Sequence, residues 1–274
     1  MTGTPPTELE APRAPRKAPA RDLLQWKVWI EPVGRPGAVN MARDQALLEE
    51  VNRRGDAAYL RLYCWNPPCL SLGRNEPARA RYDRTSIERL GLAVVRRPTG
   101  GRAVWHEDEV TYAVAAPVAR FGCLADSYRA IHRRLARALE ALGAAAELAP
   151  PSRPHGLSAG SCFAQPVGGE LLLAGRKVVG SAQVQQGGAF LQHGSILLGG
   201  SQEIVGRVSR TPQAPPRAAS LSEALGRRVS FAEVARAIVA TWAEAGEMLI
   251  PDAGPRVKRE VVSHFADPNW TWRR

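Results

Sequence analysis

Three short runs in the second half of the chain most constrain its fold. Each run is apolar or alternates between apolar and polar residues, and glycines at 175 and 187–188 separate the runs 170–174, 177–186 and 189–198. Because glycine readily adopts positive φ, these breaks favour tight turns between antiparallel strands. The sequence therefore predicts consecutive hairpins, with Lys177 on rigid backbone at the start of the middle strand.

A second glycine-rich segment lies upstream of the hairpins. The β-branched run 92–95 leads into Arg96, Arg97, Pro98, Thr99, Gly100 and Gly101, and His106 and a predicted strand at 110–114 follow. Adjacent glycines let backbone N–H groups approach a ligand closely, and arginine supplies fixed positive charge for a phosphate or carboxylate. By itself, the pattern is more typical of an ordinary turn than of a binding loop.

Helical periodicity flanks these strands. The predicted helices span 41–53 with Asn40 as N-cap, 127–142 with Asp126 as N-cap, and 231–248 after a capping box formed by Ser230 and Glu233. Further strands are predicted at 59–65 and 69–72. Strands and helices do not alternate as βαβ units, so we predict an α+β fold with a mixed, largely antiparallel sheet and packed helices.

The composition favours one folded domain behind a tail. Residues 1–21 contain five prolines and little that forms a core, so they read as a disordered Pro/Ala/Arg-rich tail. The remainder, 22–274, is predicted to be a single domain, since the residues after 198 are too few for an accessory domain and are expected to form terminal helices on the same core. A proline-rich loop at 149–160 is expected to deliver Cys162 to the first hairpin strand.

The chain carries no sign of export. No apolar run is long enough to span a membrane, and the N-terminus lacks a signal-peptide core, so we predict a cytoplasmic protein without membrane contact. The cysteines are therefore expected to be reduced thiols, and their spacing predicts no metal site; they are Cys64, Cys69, Cys123 and Cys162.

The charge is strongly basic, with a net charge of +11 and a pI near 10.2, and residues 1–21 account for only +2 of it. Such a surface suits acidic partners, but an arginine-rich proteome explains the excess equally well. No nucleic-acid module is recognisable, and the aromatic residues are not interleaved with basic ones, so nucleic acid is not a predicted partner.

The segments RRPTGGRAVWH, GRKVVGSAQ and LQHGSILL occur in the order typical of the biotin and lipoate protein ligase superfamily, which the chain resembles from Trp26 to its end. The Ser161-Cys162-Phe163 context resembles the octanoyltransferases of that superfamily that use a cysteine nucleophile. Arg102 stands where lipoate ligases usually have a third glycine, which also favours the transferase branch. Two further departures are Asn75-Glu76 after SLGR, and Gly168-Gly169, which we expect to reshape the acyl pocket.

The resemblance implies the superfamily's catalytic-domain fold and an acyltransferase reaction without cofactor. The Cys162 thiolate would attack octanoyl-acyl carrier protein, and a lipoyl-domain lysine would then take the acyl group from the resulting thioester. Lys177 would lower the pKa of the thiol and bind the acyl carbonyl oxygen. The resemblance also implies substrate-binding residues: Arg97, Thr99, Gly100, Gly101, His106, Gly180, Ser181, Ala182, His193 and Gly194.

Several assignments stay open. The acceptor is a lipoyl domain such as that of the glycine cleavage H protein or of a 2-oxoacid dehydrogenase E2. Alternative functions are an ATP-dependent lipoate or octanoate ligase, and an amidotransferase between lipoyl domains. His106 and His193 are either general bases or structural hydrogen bonders. His132 and His155 are predicted at the surface, whereas Ser181 and Gln183 either support the site or form a polar strand face.

Overall fold

The structure is a computed structural model that describes residues 24–150, 163, 168–211 and 218–274. The strands of the described part are β1 (Gln25–Arg35), β2 (Ala57–Trp65), β3 (Cys69–Leu72), β4 (Ala93–Arg96), β5 (Val104–His106), β6 (Glu109–Pro117), β7 (Ala146–Leu148), β8 (Leu171–Leu173), β9 (Arg176–Lys177), β10 (Val179–Gln186), β11 (Ala189–Leu197) and β12 (Met248–Pro251). The helices are α1 (Gly37–Arg54), α2 (Ala78–Arg81), α3 (Arg84–Arg89), α4 (Leu124–Ala141), α5 (Glu203–Arg207), α6 (Leu221–Leu225), α7 (Phe231–Glu244), α8 (Arg259–Ala266) and α9 (Pro268–Thr271).

A six-stranded sheet with the order β10-β11-β6-β2-β1-β12 forms the centre of the molecule. The β10/β11, β11/β6 and β6/β2 pairs are antiparallel, whereas β12 and β2 both pair in parallel with β1. Two smaller sheets have the orders β4-β3-β5 and β7-β8-β9. The predicted α+β fold with a mixed, largely antiparallel sheet is confirmed.

Helices cover both faces of the six-stranded sheet. Alternate residues of β2 point to opposite faces, so Leu60 and Leu62 pack in the core beneath α4 and α7, whereas Tyr59 and Tyr63 pack beneath α1 and α8. On the α4 and α7 face, Trp26 meets Trp242 edge to face, with 5.9 Å between ring centroids. The central strands are therefore buried on both sides, and any polar side chain on them must find a partner within the protein.

The predicted helix boundaries need three corrections. Helix α1 begins at Gly37, so Asn40 is not its N-cap; Asn40 is buried inside the helix, and its amide donates to the carbonyls of Arg35 and Cys64. Helix α4 begins at Leu124, which places Asp126 in its first turn. Helix α7 ends at Glu244, and 248–251 form strand β12 because that segment pairs with β1.

The hairpin prediction is confirmed in its outline, with one break. Strands β10 and β11 pair from Val179 opposite Ile196 to Gln186 opposite Ala189. Lys177, however, belongs to β9, where it pairs with Leu172 in a small sheet, and Val178 separates the two strands. The middle run is therefore shared between two sheets.

No helix in the described part of the chain is long and apolar enough to cross a membrane.

Candidate active site

A pocket opens where the loop after β4 meets β10 and β11; it is called the inner pocket below. Seven residues predicted to bind substrate line it: Arg97, His106, Gly180, Ser181, Ala182, His193 and Gly194. The other lining residues were not predicted: Met41, Tyr63, Trp65, Val104, Thr111 and Ser195. A mostly apolar wall with a few polar groups suits an acyl chain that carries a reactive carbonyl.

The glycine loop, residues 97–102, is held in shape by Arg97. The guanidinium donates to the Ser71 carbonyl at 2.8 Å and the Ser71 hydroxyl at 2.6 Å, and to the carbonyls of Gly100 at 3.0 Å and Arg102 at 2.8 Å. Gly101 has φ 90°, a conformation that favours glycine, and a Cβ on it would lie 3.9 Å from the Ala182 Cβ. The loop therefore rests against β10 in a fixed conformation.

Thr99, inside the glycine loop, is tied to His193. The His193 Nδ1 lies 2.7 Å from the Asp44 carboxylate, which only accepts, so Nδ1 carries the proton and Nε2 accepts from the Thr99 hydroxyl at 2.6 Å. Burial lowers the pKa of His193, and Asp44 opposes that effect. Both ring nitrogens of His193 form hydrogen bonds within the protein. This geometry fits a histidine with structural hydrogen bonds, the second of its two predicted roles.

Asp44 belongs to a buried charged network that was not predicted. The guanidinium of Arg61, which is fully buried, donates to Asp44 Oδ1 and to Glu31 Oε2, both at 2.7 Å, and the Tyr63 hydroxyl donates to Asp44 Oδ2 at 2.8 Å. Burial alone would raise the pKa of Asp44, but Arg61, His193 and Tyr63 lower it below its usual value. The network links β1, β2 and α1 to the glycine loop.

His106 also lines the inner pocket. Its ring stacks on Trp65 with 3.9 Å between centroids, its Nδ1 donates to Glu109 at 2.8 Å, and its Nε2 accepts from the Ser71 hydroxyl at 2.6 Å. The Ser71 hydroxyl itself accepts from Arg97. Arg97, Ser71, His106 and Glu109 thus form a directed hydrogen-bond chain along this wall.

Arg96 faces away from the inner pocket. Its Nε donates to the Thr271 carbonyl at 2.8 Å and its Nη1 to the Gly73 carbonyl at 2.6 Å, while the Trp270 indole donates to the Arg96 carbonyl at 3.0 Å. Burial lowers the pKa of Arg96 to about 10, and the nearby charge of Arg273 adds to this effect. Arg96 therefore fastens the C-terminal residues to the back of the glycine loop.

Lys177 is buried beside the inner pocket. Its Nζ donates to Glu170 Oε1 at 2.6 Å and lies 5.4 Å from the ring centroid of Phe163. Phe163 is 2% exposed, and a Cβ on Gly180 would lie 3.0 Å from its ring. The predicted nucleophile Cys162 and the predicted surface residue His155 lie outside the described residues. The structure does describe Phe163, the residue that follows Cys162 in the sequence.

An outer groove borders β10 and α4 and is lined among others by Tyr128, Gly169, Glu170, Ala182 and Gln183. Ser181 and Ala182 contribute to the walls of both the outer groove and the inner pocket. Among the strands that the structure describes, β10 stands at the end of the order of the six-stranded sheet. The two spaces therefore meet at Ser181 and Ala182, and Ser181 is the one of the two with a polar side chain.

The surface prediction for His132 is wrong. His132 is fully buried on α4, its Nε2 lies 2.8 Å from the Ser181 Oγ, and its Nδ1 lies 2.6 Å from the Gly169 carbonyl oxygen. Burial lowers the pKa of His132 to about 4; the Gly169 hydrogen bond opposes this effect, and the charge of Lys177 adds to it. The helical spacing indicates this burial, because His132 lies three residues before Leu135 and seven before Leu139, on the apolar face of the helix.

The described thiols differ in exposure. Among the described cysteines, Cys64, Cys69 and Cys123 are free. Burial raises the pKa of Cys64 and, more strongly, that of Cys69, whereas Cys123 is exposed, with its Sγ 3.0 Å from Asp126 Oδ2. Within the residues that the structure describes, no three His, Cys, Asp or Glu side chains cluster in a way that would hold a metal ion.

Comparison with known proteins adds relatives that span most of the chain. Residues 36–243 match the model of the lipoyl protein ligase A/B catalytic domain. Octanoyltransferase LipM of Carboxydothermus hydrogenoformans is 38% identical over 77% of this chain and 83% of its own length. Octanoyltransferase LipM of Symbiobacterium thermophilum is 36% identical over 88% of this chain and 96% of its own length.

Solved structures share the fold at lower identity. Lipoate-protein ligase A bound with ATP superposes with a TM-score of 0.74 at 20% identity, covering 90% of this chain and 98% of that protein. A lipoate protein ligase from Thermoplasma acidophilum with bound lipoic acid superposes with a TM-score of 0.72, covering 90% of this chain and 99% of that protein. These likenesses establish the same catalytic-domain architecture.

Proposed function

Because the chain belongs to the lipoyl protein ligase A/B catalytic-domain family, we propose that it is an octanoyltransferase that modifies the lysine of a lipoyl domain in protein lipoylation. Relatives called octanoyltransferase LipM, 36–38% identical over most of the chain, support this choice over the ATP-dependent ligases of the same family. The reaction replaces a thioester by an amide.

Cys162 is the proposed nucleophile. Its thiolate attacks the octanoyl thioester of an acyl carrier protein, the carrier thiol leaves, and an octanoyl thioester forms on the enzyme. The ε-amine of the acceptor lysine then attacks this thioester, and the thiolate of Cys162 leaves. Because converting a thioester into an amide lowers the free energy, the proposed reaction uses neither ATP nor another cofactor.

The buried position of Lys177 near Phe163 is the observation that carries this proposal. A buried ammonium, 5.4 Å from the ring of the residue next to Cys162, suits a group that lowers the pKa of the thiol and binds the developing oxyanion. Its partner Glu170 holds the ammonium in one position at 2.6 Å. In this proposal, the inner pocket takes the acyl chain and the glycine loop borders the reacting carbonyl.

The partners follow from the two half-reactions. The donor is an acyl carrier protein, and the acceptor is a lipoyl domain, such as that of the glycine cleavage H protein or a 2-oxoacid dehydrogenase E2. The net charge of +11 favours encounter with acidic carrier and acceptor domains. A cytoplasmic location and a single domain spanning 22–274 stay predictions from the sequence.

Intact-mass measurement tests the proposed function. The protein is mixed with octanoyl-acyl carrier protein in the absence of ATP, with Cys162→Ala as the control. The expected result is one octanoyl adduct in the parent alone, which disappears when an apo lipoyl domain is added and reappears on that domain. Modification of the acceptor only with free octanoate and ATP would instead establish a ligase. Loading only from an octanoylated lipoyl domain would establish an amidotransferase.

A further inference from the structure

The contact between Ser181 and His132 has no role in the function proposed above, although it lies at the wall between the inner pocket and the outer groove. The direction of its hydrogen bond is determined. The Gly169 carbonyl only accepts, so the His132 Nδ1 carries the proton, and the neutral ring presents a lone pair at Nε2. Ser181 therefore donates its hydroxyl proton to His132 Nε2 over 2.8 Å.

Tyr112 is the second hydrogen-bond partner of the Ser181 hydroxyl. The Gln192 amide donates to the Tyr112 hydroxyl at 2.8 Å, and Tyr112 donates in turn to the Ser181 Oγ at 2.7 Å. A hydroxyl oxygen has one donor and two acceptor positions. Ser181 thus has one acceptor position left for a donor that enters from the inner pocket or the outer groove.

Gly194 makes this arrangement possible. It stands between Ser181 on β10 and Tyr112 on β6 in the sheet register. A Cβ on Gly194 would lie 2.5 Å from the Ser181 Oγ and 2.8 Å from the Tyr112 ring. Only a residue without a side chain allows the tyrosine hydroxyl to reach Ser181 across the intervening strand.

The charges around His132 keep its lone pair available. Lys177 lies near enough to lower the pKa of His132 in addition to the effect of burial, while Tyr112 and Tyr128 are the other titratable groups packed against the ring. At neutral pH the imidazole is therefore unprotonated. Because its pKa is near 4, the imidazole takes up a proton only transiently and releases it readily at neutral pH.

We propose that Ser181 accepts a proton from the acceptor lysine as its nitrogen attacks the acyl-enzyme, and that His132 takes up the hydroxyl proton which Ser181 gives up. The proposal rests on the proposed function. Ser181 is then a catalytic residue of the second half-reaction, and His132 is the positioning residue behind it. The outer groove, which borders Ser181, is the route by which the lysine enters.

The proton balance of this step is complete. The neutral amine forms a C–N bond, and the carbonyl π electrons move to oxygen, which gives an adduct with a positively charged nitrogen. One N–H proton passes to the Ser181 Oγ while the Ser181 proton passes to His132 Nε2. The C–S bond then breaks with its electron pair on the Cys162 sulfur, and the His132 imidazolium releases its proton to solvent. Thioester and amine have become amide, thiolate and a released proton.

Separating the two half-reactions tests the proposal. The parent, His132→Gln and Ser181→Ala are loaded from octanoyl-acyl carrier protein, freed of donor and mixed with apo lipoyl domain, and intact mass follows both steps. His264→Gln changes an exposed histidine on α8 and is the matched control. We expect His264→Gln to match the parent in both steps, and His132→Gln and Ser181→Ala, each compared with its own loading rate, to transfer about 100-fold more slowly than the parent.

His132→Gln separates proton transfer from positioning. A glutamine oxygen still accepts the Ser181 hydroxyl but takes up no proton, so a merely structural histidine predicts transfer at the parental rate, and that result would overturn the proposal. The parent should also show a solvent deuterium isotope effect on transfer that His132→Gln lacks. A parent that never loads would refute the proposed function and this inference together, whereas normal loading with unchanged transfer in both variants would refute this inference alone.

Discussion

At the scale of single residues, variants of the buried pair Lys177 and Glu170 distinguish the contribution of Lys177 to stability from its contribution to catalysis. Lys177→Met leaves the Glu170 carboxylate in the protein interior without the ammonium, so the free energy of unfolding should fall by about 3 kcal/mol. The rate of acyl-enzyme formation should fall by about 100-fold, because in the proposed mechanism the oxyanion loses its positive partner. Urea unfolding and intact-mass kinetics measure the two effects.

The double variant Lys177→Met with Glu170→Leu is the control for this pair. Replacing both charges by apolar groups should restore most of the lost stability, because no carboxylate is left unneutralised in the core. The acylation rate should stay low. Recovery of acylation in the double variant would show that Lys177 has only a structural role.

His132 makes a pH-dependent contribution to stability. Its pKa is near 4 in the folded protein and about 6.5 when unfolded, so below pH 6.5 the unfolded chain binds the extra proton. This contribution is fully present above pH 6.5 and is lost as the pH falls towards 4; at pH 5 the loss is about 2 kcal/mol. Lys177, Tyr112 and Tyr128 are the titratable side chains that face the ring.

Unfolding by urea at pH 7 and pH 5 checks this contribution. His132→Gln should lose less stability between these two pH values than the parent, by about 2 kcal/mol. The exposed His264→Gln should behave like the parent. An equal loss in the parent and His132→Gln would contradict the pKa on which the expectation depends.

Single-sequence reasoning located most of the pocket residues but not their partners. Gly180, Ser181 and His193 were predicted because they belong to motif segments. Asp44 and Arg61 were not, since a charged residue is usually exposed, and the partner that allows burial lies on another element, 17 positions away in the sequence. His132 was misplaced for the same reason, because its partners Gly169 and Ser181 lie on distant segments.

At the scale of elements, the β10–β11 hairpin depends on the missing side chain at Gly194. A methyl group there would meet the Ser181 Oγ and the Gly180 carbonyl oxygen at 2.5 and 2.6 Å, so Gly194→Ala should lower the free energy of unfolding by about 1 to 3 kcal/mol. Gly188→Ala is the matched control in the same hairpin. A Cβ on Gly188 meets nothing within 4 Å, so its effect should stay within about 0.5 kcal/mol.

Chemical denaturation of the two glycine variants measures this difference. Equal stability of Gly194→Ala and Gly188→Ala would mean that β10 shifts to accommodate the methyl group. The Gly194 position would then not hold Tyr112 and Ser181 together.

Elements whose interactions are local were predicted best. The β10–β11 turn follows from Gly187 and Gly188, and the Ser230 cap of α7 accepts from the Glu233 backbone N–H as the capping box predicts. Strand β12 was missed because its partner β1 lies more than 200 residues earlier in the chain. The break at Val178 was missed because it arises where two sheets compete for one segment.

At the scale of the whole molecule, the net charge of +11 predicts salt-sensitive encounter with an acidic carrier protein. Raising the ionic strength from about 0.01 to 0.15 M shortens the Debye length from about 30 to 8 Å, so kcat/KM for octanoyl-acyl carrier protein should fall. A small uncharged octanoyl thioester should load the enzyme at a rate that salt leaves unchanged. Equal salt dependence for both donors would favour the arginine-rich proteome as the explanation of the charge.

The fold class was predicted from the sequence, whereas the order of the strands was not. Hairpins and the lack of βαβ alternation indicate an α+β architecture, because both are read from neighbouring segments. The parallel pairing of β1 with β2 and β12 joins segments separated by helices, and single-sequence periodicity carries no information on such pairings.

The exposure of Cys123 affects how any adduct on this protein is assigned. Cys69 is buried and Cys64 half-buried, and burial raises the pKa of both thiols, but Cys123 is open to solvent at the start of α4. An exposed thiol is open to non-enzymatic acylation by a reactive thioester, and an octanoyl group on Cys123 would have the same mass as one on Cys162. A Cys123→Ser background removes that false positive, and peptide mapping in this background would attribute each remaining modification to a single sulfur.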